Sequence, residues 1–549
     1  MTTPAPRPSP LAPLRFPAFR SLWIATLVSN MGGLVQTVGT GWMMTSMTAS
    51  DTMVSLVQSS TTLPIMILAL AAGAIADNFE RRKVMLVAQV FMCVVSALLA
   101  LAAYMGVLGP WSLLTFSFLI GCGAALNNPA WQSSMLDLVP KSDLSAAVSL
   151  NSMGFNLMRS FGPAAGGFIV AIAGPAAAFA LNAFSYLSVI GALFHWHPKP
   201  VERTLPRESL GAAMSAGLRY VRMSPNLMRI LARAGIFGIT GIAVLSLLPV
   251  VTRDILGGDA ITYGVLLGAF GIGAITGALL NARLREMFDT ENLIRGSFLC
   301  FASGAALLGL STVNWLSFIA LMLTGASWLV ALSLFNVSVQ LSAPRWVVGR
   351  ALALYQSVTF GGMAIGAWVW GYVSELIGTG PTLVVTGMTM ILGAALGLWF
   401  RLPEFSTLNL DPLGRFKTPP LALDIEGRSG PILVMIDYRI ALEDVPAFLA
   451  MMQQRRRIRL RDGARHWTLL RDLEEPEAWT ESYHVPTWHE YLRHQSRRTQ
   501  ADAENFDRLL EMHKGPGRPR VHRMIERQTV PRQDNTPLAV NHGKITSGA

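Results

Sequence analysis

Residues Val84 to Tyr104 read VMLVAQVFMCVVSALLALAAY, an unbroken apolar run that opens directly behind the basic triplet Arg81-Arg82-Lys83. Lipid offers a backbone no hydrogen-bond partners, so a run of about 20 apolar residues crosses a bilayer as a helix that satisfies its own N–H and C=O groups. Working outward, the same reading applies to Phe19–Met47, Met53–Ala76, Trp111–Met135, Leu144–Ile172 and Ala176–Leu193. A second set follows in Ile230–Val251, Tyr263–Leu284, Leu293–Ser311, Leu316–Val339, Ala351–Val373 and Thr382–Phe400. The expected fold class is an all-α polytopic membrane protein of roughly twelve transmembrane helices in two six-helix bundles, followed by a soluble domain.

Composition excludes an ordinary soluble enzyme: of 549 residues, 52% are hydrophobic and only 14% charged. The net charge of +11 is not a nucleic-acid signature, because Lys and Arg gather in alternate gaps between the spans. Arg7, Arg15 and Arg20 precede the first span; Arg81, Arg82 and Lys83 follow the second; Lys141 follows the fourth; and Lys199, Arg203 and Arg207 follow the sixth. Arg283 and Arg285, Arg345 and Arg350, and Arg401 continue the series, whereas the opposite gaps carry almost none beyond Arg253. By the positive-inside rule this pattern predicts a multi-pass protein of the cell (inner) membrane with both termini cytoplasmic. No nucleic-acid reading motif accompanies the charge, so no nucleic-acid partner is expected. Cys93, Cys122 and Cys300 sit inside apolar runs without ligand spacing and read as small core hydrophobes; no metal site and no cofactor are expected.

Laid against itself so that Gly73, Asp77 and Arg81 meet Gly277, Asn281 and Arg285, the chain also brings Pro140, Gly162 and Gly167 onto Pro344, Gly366 and Gly371. A repeat in the same orientation implies two bundles about an axis along the membrane normal, with a central cavity that opens to either side by rocking. The segment Gly73-Ala-Ile-Ala-Asp77-Asn-Phe-Glu-Arg81-Arg82-Lys83 resembles the cytoplasmic loop signature of the major facilitator superfamily, departing from it at Asn78 and Glu80. Together with Gly162-Pro163-Ala-Ala-Gly166-Gly167 and the run from Tyr263, the resemblance points to the enterobactin-exporter-like branch of secretion carriers. It implies alternating access, with Asp77 facing Arg350 at the start of the eleventh span and Arg81 reaching Asp137. Gly73, Asp77, Arg81, Arg82, Asp137 and Arg350 form the expected gate. Gly162, Pro163, Gly166 and Gly167 resemble the second half of the family's antiporter motif, where small residues let helices pack closely. Proton exchange is what the resemblance implies and not what the residues demonstrate, because the spans hold no Asp, Glu or His near mid-depth.

Arg159 is the sharpest single residue. It lies about fourteen residues into the fifth span, or about 21 Å at the helical rise, close to mid-bilayer. A cation at that depth faces a cavity, a partner or a substrate. Ser152, Asn156 and Arg159 share one helix face, and Gln36, Gln58, Asn128, Asn336 and Gln356 sit at comparable depth. These residues are the expected lining for a largely hydrophobic small molecule bearing a few acceptors, with interhelical hydrogen bonding as the competing role of the amides.

Beyond Arg401, prolines and rising charge mark a linker, and from Pro431 the pattern changes to short strands and helices. Ile432–Ile440, Trp467–Arg471, Trp479–Val485 and Arg520–Ile525 read as strands; Val445–Arg461 and Trp488–Met512 read as helices. The order βαββαβ indicates an α+β ferredoxin-like domain, and it resembles the small dimeric α/β-barrel domains related to antibiotic-biosynthesis monooxygenases. His466, His484, His489 and His494 are scattered and read as surface groups, and Arg455, Arg456, Arg457, Arg459 and Arg461 as a solvated or lipid-touching helix face. Dimerisation or regulation is the role expected of this domain.

The organisation is thus a cytoplasmic segment 1–18, a bundle 19–197, a linker 198–229, a bundle 230–401, a linker 402–430, a soluble domain 431–526 and a disordered tail 527–549. The functional expectation is a secondary carrier, not an enzyme, that exports a drug, siderophore or secondary metabolite across the bilayer. An importer, or a tethered sensor or enzyme acting through 431–526, is the alternative.

Overall fold

The computed structural model describes the chain except for residues 1–10, 141, 198–209, 345, 403–408, 412, 414, 417, 424 and 527–549. The expected tail 527–549 and much of the linker 198–229 therefore lie outside the described residues. The chain divides into two compact units, one of residues 1–210, 228–339 and 352–404, the other of 211–227, 340–351 and 405–549.

The first unit is built of long helices: α1 (Pro17–Met47), α2 (Asp51–Asn78), α3 (Arg81–Tyr104), α4 (Pro110–Leu138) and α5 (Leu144–His195). After α6 (Leu210–Met223) come α7 (Pro225–Val250), α8 (Ala260–Met287), α9 (Thr290–Leu310), α10 (Asn314–Leu341), α11 (Val348–Ile377) and α12 (Thr379–Leu396). Ten helices among the described residues are long and apolar enough to cross a membrane. The expected fifth and sixth spans are joined in α5, which bends at Gly174 (φ 78°), between Ile172 and Ala176 where the sequence breaks. Only glycine takes that backbone conformation without steric cost, and Pro175 behind it removes a helical N–H. A π turn, Val251–Ile255, ends α7.

Helix α3 shows how the helices sort their faces. Val87, Phe91, Val94, Leu98 and Leu101 are exposed, whereas Met85, Gln89, Met92, Ser96 and Leu99 point inward. An apolar outside with polar groups inside is the arrangement lipid selects.

The second unit holds a four-stranded antiparallel sheet. In chain order it runs β1 (Ile432–Arg439), α13 (Val445–Asp462), β2 (Arg465–Arg471), β3 (Ala478–Val485), α14 (Trp488–Ser496), α15 (Ala503–Met512) and β4 (Arg520–Ile525), with spatial order β2-β3-β1-β4. Ile432 lies opposite Val485 on one side and Ile525 on the other. Ile432, Val434, Ile436 and Tyr438 alternate into a core with Phe448, Tyr483 and Trp479, the period expected of a strand covered on one face. The helix expected over Trp488–Met512 is two. It stops at Arg497, and Thr499 starts the next turn by exchanging hydrogen bonds with Asp502, a local cap that outcompetes helix continuation. Two further expectations are corrected: His494 is buried, and Arg455 and Arg459 are buried rather than solvated, because both bond the interior carboxylate of Glu481.

Candidate functional site

Helix α5 is gripped between α1 and α8, and the glycine-rich element makes that possible. A Cβ on Gly162 would stand 2.9 Å from the Leu34 side chain, and one on Gly166 would stand 3.0 Å from Val35 Cα, both on α1. On the other face, a Cβ on Gly167 would fall 2.5 Å from the Ala260 carbonyl oxygen, and one on Gly264 2.5 Å from the Pro163 oxygen. The seam continues to Gly271, whose Cβ would meet the Arg159 carbonyl oxygen at 2.5 Å. Beyond it α8 turns its glycines to α10, with Gly273 against Met322 and Gly277 against Ala326.

Arg159 sits where that seam ends. Its guanidinium lies 5.3 Å from the ring centre of Phe270 on α8, a cation–π contact, and no carboxylate meets it among the described residues. Close backbone approach of α5 and α8 thus delivers a cation from the first half onto an aromatic face of the second.

The other expected lining residues divide by surroundings. Gln36 is buried, and its side-chain oxygen accepts hydrogen bonds from Ser96 (2.8 Å) and Asn182 (2.6 Å), tying α1 to α3 and α5. Asn182 also donates to the Tyr186 hydroxyl at 3.1 Å. Gln58, Asn336 and Gln356 are half-buried, while Asn128 and Ser152 are exposed. The Asn156 and Asp77 side chains lie outside the described residues, although both positions are helical.

At the Asp77 end, Arg81 donates to Asp137 Oδ2 and to the Ser133 carbonyl, both at 2.8 Å, so α3 is tied to the end of α4. Arg82 caps α5 by donating to the Leu193 and Phe194 carbonyls at 2.9 and 3.2 Å. Gly73 has open space around its Cβ position. Arg350 belongs to the second unit, where its side chain packs on Gly217 of α6.

The opposite end carries polar bonds between the halves that no motif announced. Asp51 at the start of α2 accepts from Ser374 on α11 at 2.6 Å, and Glu375 accepts from the Ser50 hydroxyl and from the Thr52 N–H at 3.2 Å. Arg253 donates to the carbonyls of Thr45 (2.8 Å) and Thr48 (3.1 Å). Deeper, the Ser59 hydroxyl donates to the Ala364 carbonyl at 2.6 Å, and a Cβ on Gly361 would meet Met66 Sδ at 2.6 Å. Sequence reading also gave no role to Glu291, whose two carboxylate oxygens both accept from Nη1 of buried Arg233 (2.8 and 2.6 Å) and which accepts further from Arg295 Nε and the Leu402 N–H, binding α7, α9 and the chain beyond α12. Arg233 and Leu402 lie 58 and 111 residues from Glu291, so apart from the i,i+4 pair with Arg295 these contacts leave no local pattern to find.

Two sets of long apolar helices, joined by glycine seams and by polar bonds at one end, with a cation on the seam, define a multi-pass transporter of the major facilitator type. The chain belongs to the Transmembrane secretion effector family, whose sequence profile matches residues 8–530. It is similar to the staphyloferrin A transporter of Staphylococcus aureus (strain NCTC 8325 / PS 47), 23% identical over 66% of this chain and 90% of that protein. It is similar also to the enterobactin exporter EntS of Citrobacter koseri (strain ATCC BAA-895 / CDC 4225-83 / SGSC4696), 28% identical over 74% of this chain and 94% of that one. Among solved structures, the inward-facing, unoccupied bacterial homolog to the human lysosomal transporter Spinster superposes with a TM-score of 0.58 at 14% identity, covering 71% and 97% of the two chains. The nucleoside transporter NupG gives 0.54 at 12% identity, covering 70% and 100%. These structures show the fold alone; the relatives are transporters, and the chain is a carrier rather than an enzyme.

Proposed function

We propose that this carrier exports an amphipathic small molecule with an anionic or acceptor-rich group, by alternating access about the α5–α8 and α2–α11 seams. Arg159 carries the reading. A cation near mid-span, set on an aromatic ring at the junction of the halves and without a carboxylate among the described residues, is the arrangement that recognises a substrate anion. Ser152, Asn156, Gln58, Asn128, Asn336 and Gln356 supply further polar contacts, while Gln36 holds the bundle together in this state. The relatives named for enterobactin and staphyloferrin A make a siderophore-like solute the leading class.

The helix account supports twelve spans: the ten apolar helices, α1, and the second limb of α5 beyond Gly174. Alternating Lys and Arg set both termini on the cytoplasmic side of the inner membrane. The Asp51 end is then external and closed, and the substrate path opens at the Asp77 end, with Arg81 and Asp137 beside it and Asp77 and Arg350 as the remaining gate charges. Proton exchange is the coupling proposed. The strand order β2-β3-β1-β4, with α13 after β1 and two helices between β3 and β4, supports a ferredoxin-like tail that regulates or dimerises the carrier.

Uptake of anionic lipophilic solutes into inverted vesicles, with and without a proton gradient, tests the reading. Gradient-driven accumulation is expected, falling roughly tenfold or more in Arg159→Ala and partly retained in Arg159→Lys. Accumulation indifferent to Arg159 in correctly folded protein, or uptake only into right-side-out vesicles, would overturn it.

A further inference from the structure

The second unit contains a cavity of about 240 Å³ between the sheet and its helices, and its charge does not balance. Arg455, Arg459 and Arg498 all line it. Glu481 beneath is fully buried and accepts from Arg455 Nε (2.7 Å), Arg459 Nε (3.0 Å), Trp467 Nε1 (3.0 Å) and the Tyr438 hydroxyl (3.1 Å). One carboxylate thus faces two guanidiniums and has spent its oxygens on them. Arg459 Nη1 lies 3.3 Å from His494 Nε2, and burial together with Arg459 pushes that imidazole well below its usual range, so it brings no negative charge to the cavity.

Three donors remain. Arg455 Nη1, Arg459 Nη2 and Arg498 Nε are buried with no hydrogen-bond partner among the described residues, and Arg455 and Arg459 are only 4% and 1% exposed. Arg498 has no ion pair among the described residues; burial and the nearby Arg459 pull it down to about 9. Buried donors are almost always satisfied, and guanidinium forks match a carboxylate in geometry as well as charge. Aromatic rings share the walls with aliphatic side chains such as Ile436 and Leu509 and with Arg518 and Arg523: the Phe506 ring centre lies 4.3 Å from the Arg455 guanidinium and 4.5 Å from that of Arg498, Tyr483 lies 4.5 Å from Arg459, and Tyr491 also lines the cavity. The volume falls below the roughly 300 Å³ at which drug-sized sites begin, so the occupant is small.

We infer that this cavity is a binding site for a small aromatic carboxylate, its anionic end held by Arg455, Arg459 and Arg498 and its ring held among Phe506, Tyr483 and Tyr491. The site is independent of what the membrane part transports.

Calorimetric titration of the full-length chain in detergent with benzoate, benzamide and inorganic phosphate decides the matter. Saturable benzoate binding is expected, with benzamide and phosphate each roughly tenfold or more weaker, since one lacks the charge and the other the ring. Arg498→Gln is expected to weaken benzoate roughly tenfold and Arg498→Lys to weaken it less. The lysine variant keeps the test open should the glutamine variant fail to fold. Absence of benzoate binding to folded protein, equal binding of benzamide, preference for phosphate, or benzoate binding indifferent to Arg498 would each overturn the assignment.

Discussion

Glu481 shows how much one residue can hold. Burial alone would push its carboxyl upward, but Arg455 and Arg459 outweigh that and hold it well below the usual carboxylate range. Removing the charge leaves two guanidiniums buried without a counter-ion, so Glu481→Gln is expected to destabilise the second unit by about 3–5 kcal/mol. The pH dependence follows from a folded value depressed below an unfolded one of about 4.3. Glu481 contributes its full stabilisation above that pH and loses it as pH falls towards the folded value. Thermal unfolding followed by tryptophan fluorescence should therefore show a wide gap between unmodified chain and variant at pH 7 that narrows below about pH 4. Asp462 works in the opposite sense: burial raises it to about 6 against the pull of Arg461, so its contribution is lost as pH rises through that value.

At the scale of elements, the α5–α8 seam is made of backbone, and backbone cannot yield. A methyl on Gly167 or Gly264 would stand 2.5 Å from a carbonyl oxygen of the facing helix. Each Gly→Ala change is expected to cost roughly 1–3 kcal/mol and to lower the melting temperature in detergent. Gly33→Ala on α1, where nothing lies within 4 Å, should be neutral or slightly stabilising. Equal melting of all three variants would remove the seam's importance. The elements were largely legible in the sequence because hydrophobic length and period report them: every expected span falls on a helix, and β1 and β4 fall where the alternation puts them. Less legible were events decided by non-local partners. Arg455 and Arg459 look like a solvated basic face until Glu481, on a strand beyond the next turn, folds beneath them. The break after Arg497 depends on a cap that ranks below helical periodicity in any reading. Gln36 and Arg159 look alike as polar groups in mid-span, yet Ser96 and Asn182 absorb the first, while the guanidinium of the second lies over the Phe270 ring and meets no carboxylate among the described residues.

For the whole molecule, the alternating-access cycle proposed above makes the bonds at the Asp51 end the ones that would set the balance between its two states, and their strengths differ. Glu375 is exposed, so solvent screens its contacts with Ser50 and Thr52, whereas Asp51 and Ser374 are both buried. A hydrogen bond to a buried charge is worth about 1.5–3 kcal/mol, and full reversal of a two-state equilibrium takes about 5.5 kcal/mol. Asp51→Ala is therefore expected to shift the population towards a state open at that end without completing the change, and Glu375→Gln to shift it less. Joining Asp51→Ala with Arg253→Ala, which removes the carbonyl contacts on α1, should approach reversal. Spin labels at Val107 and Val313, in the turns after α3 and α9, report the separation of the halves at that end by pulsed electron resonance. The longer-distance population should grow in the order unmodified, Glu375→Gln, Asp51→Ala, double variant. An unchanged distribution across the series would mean that the glycine seams hold the closed end by themselves, because the same packing persists after its polar bonds are gone.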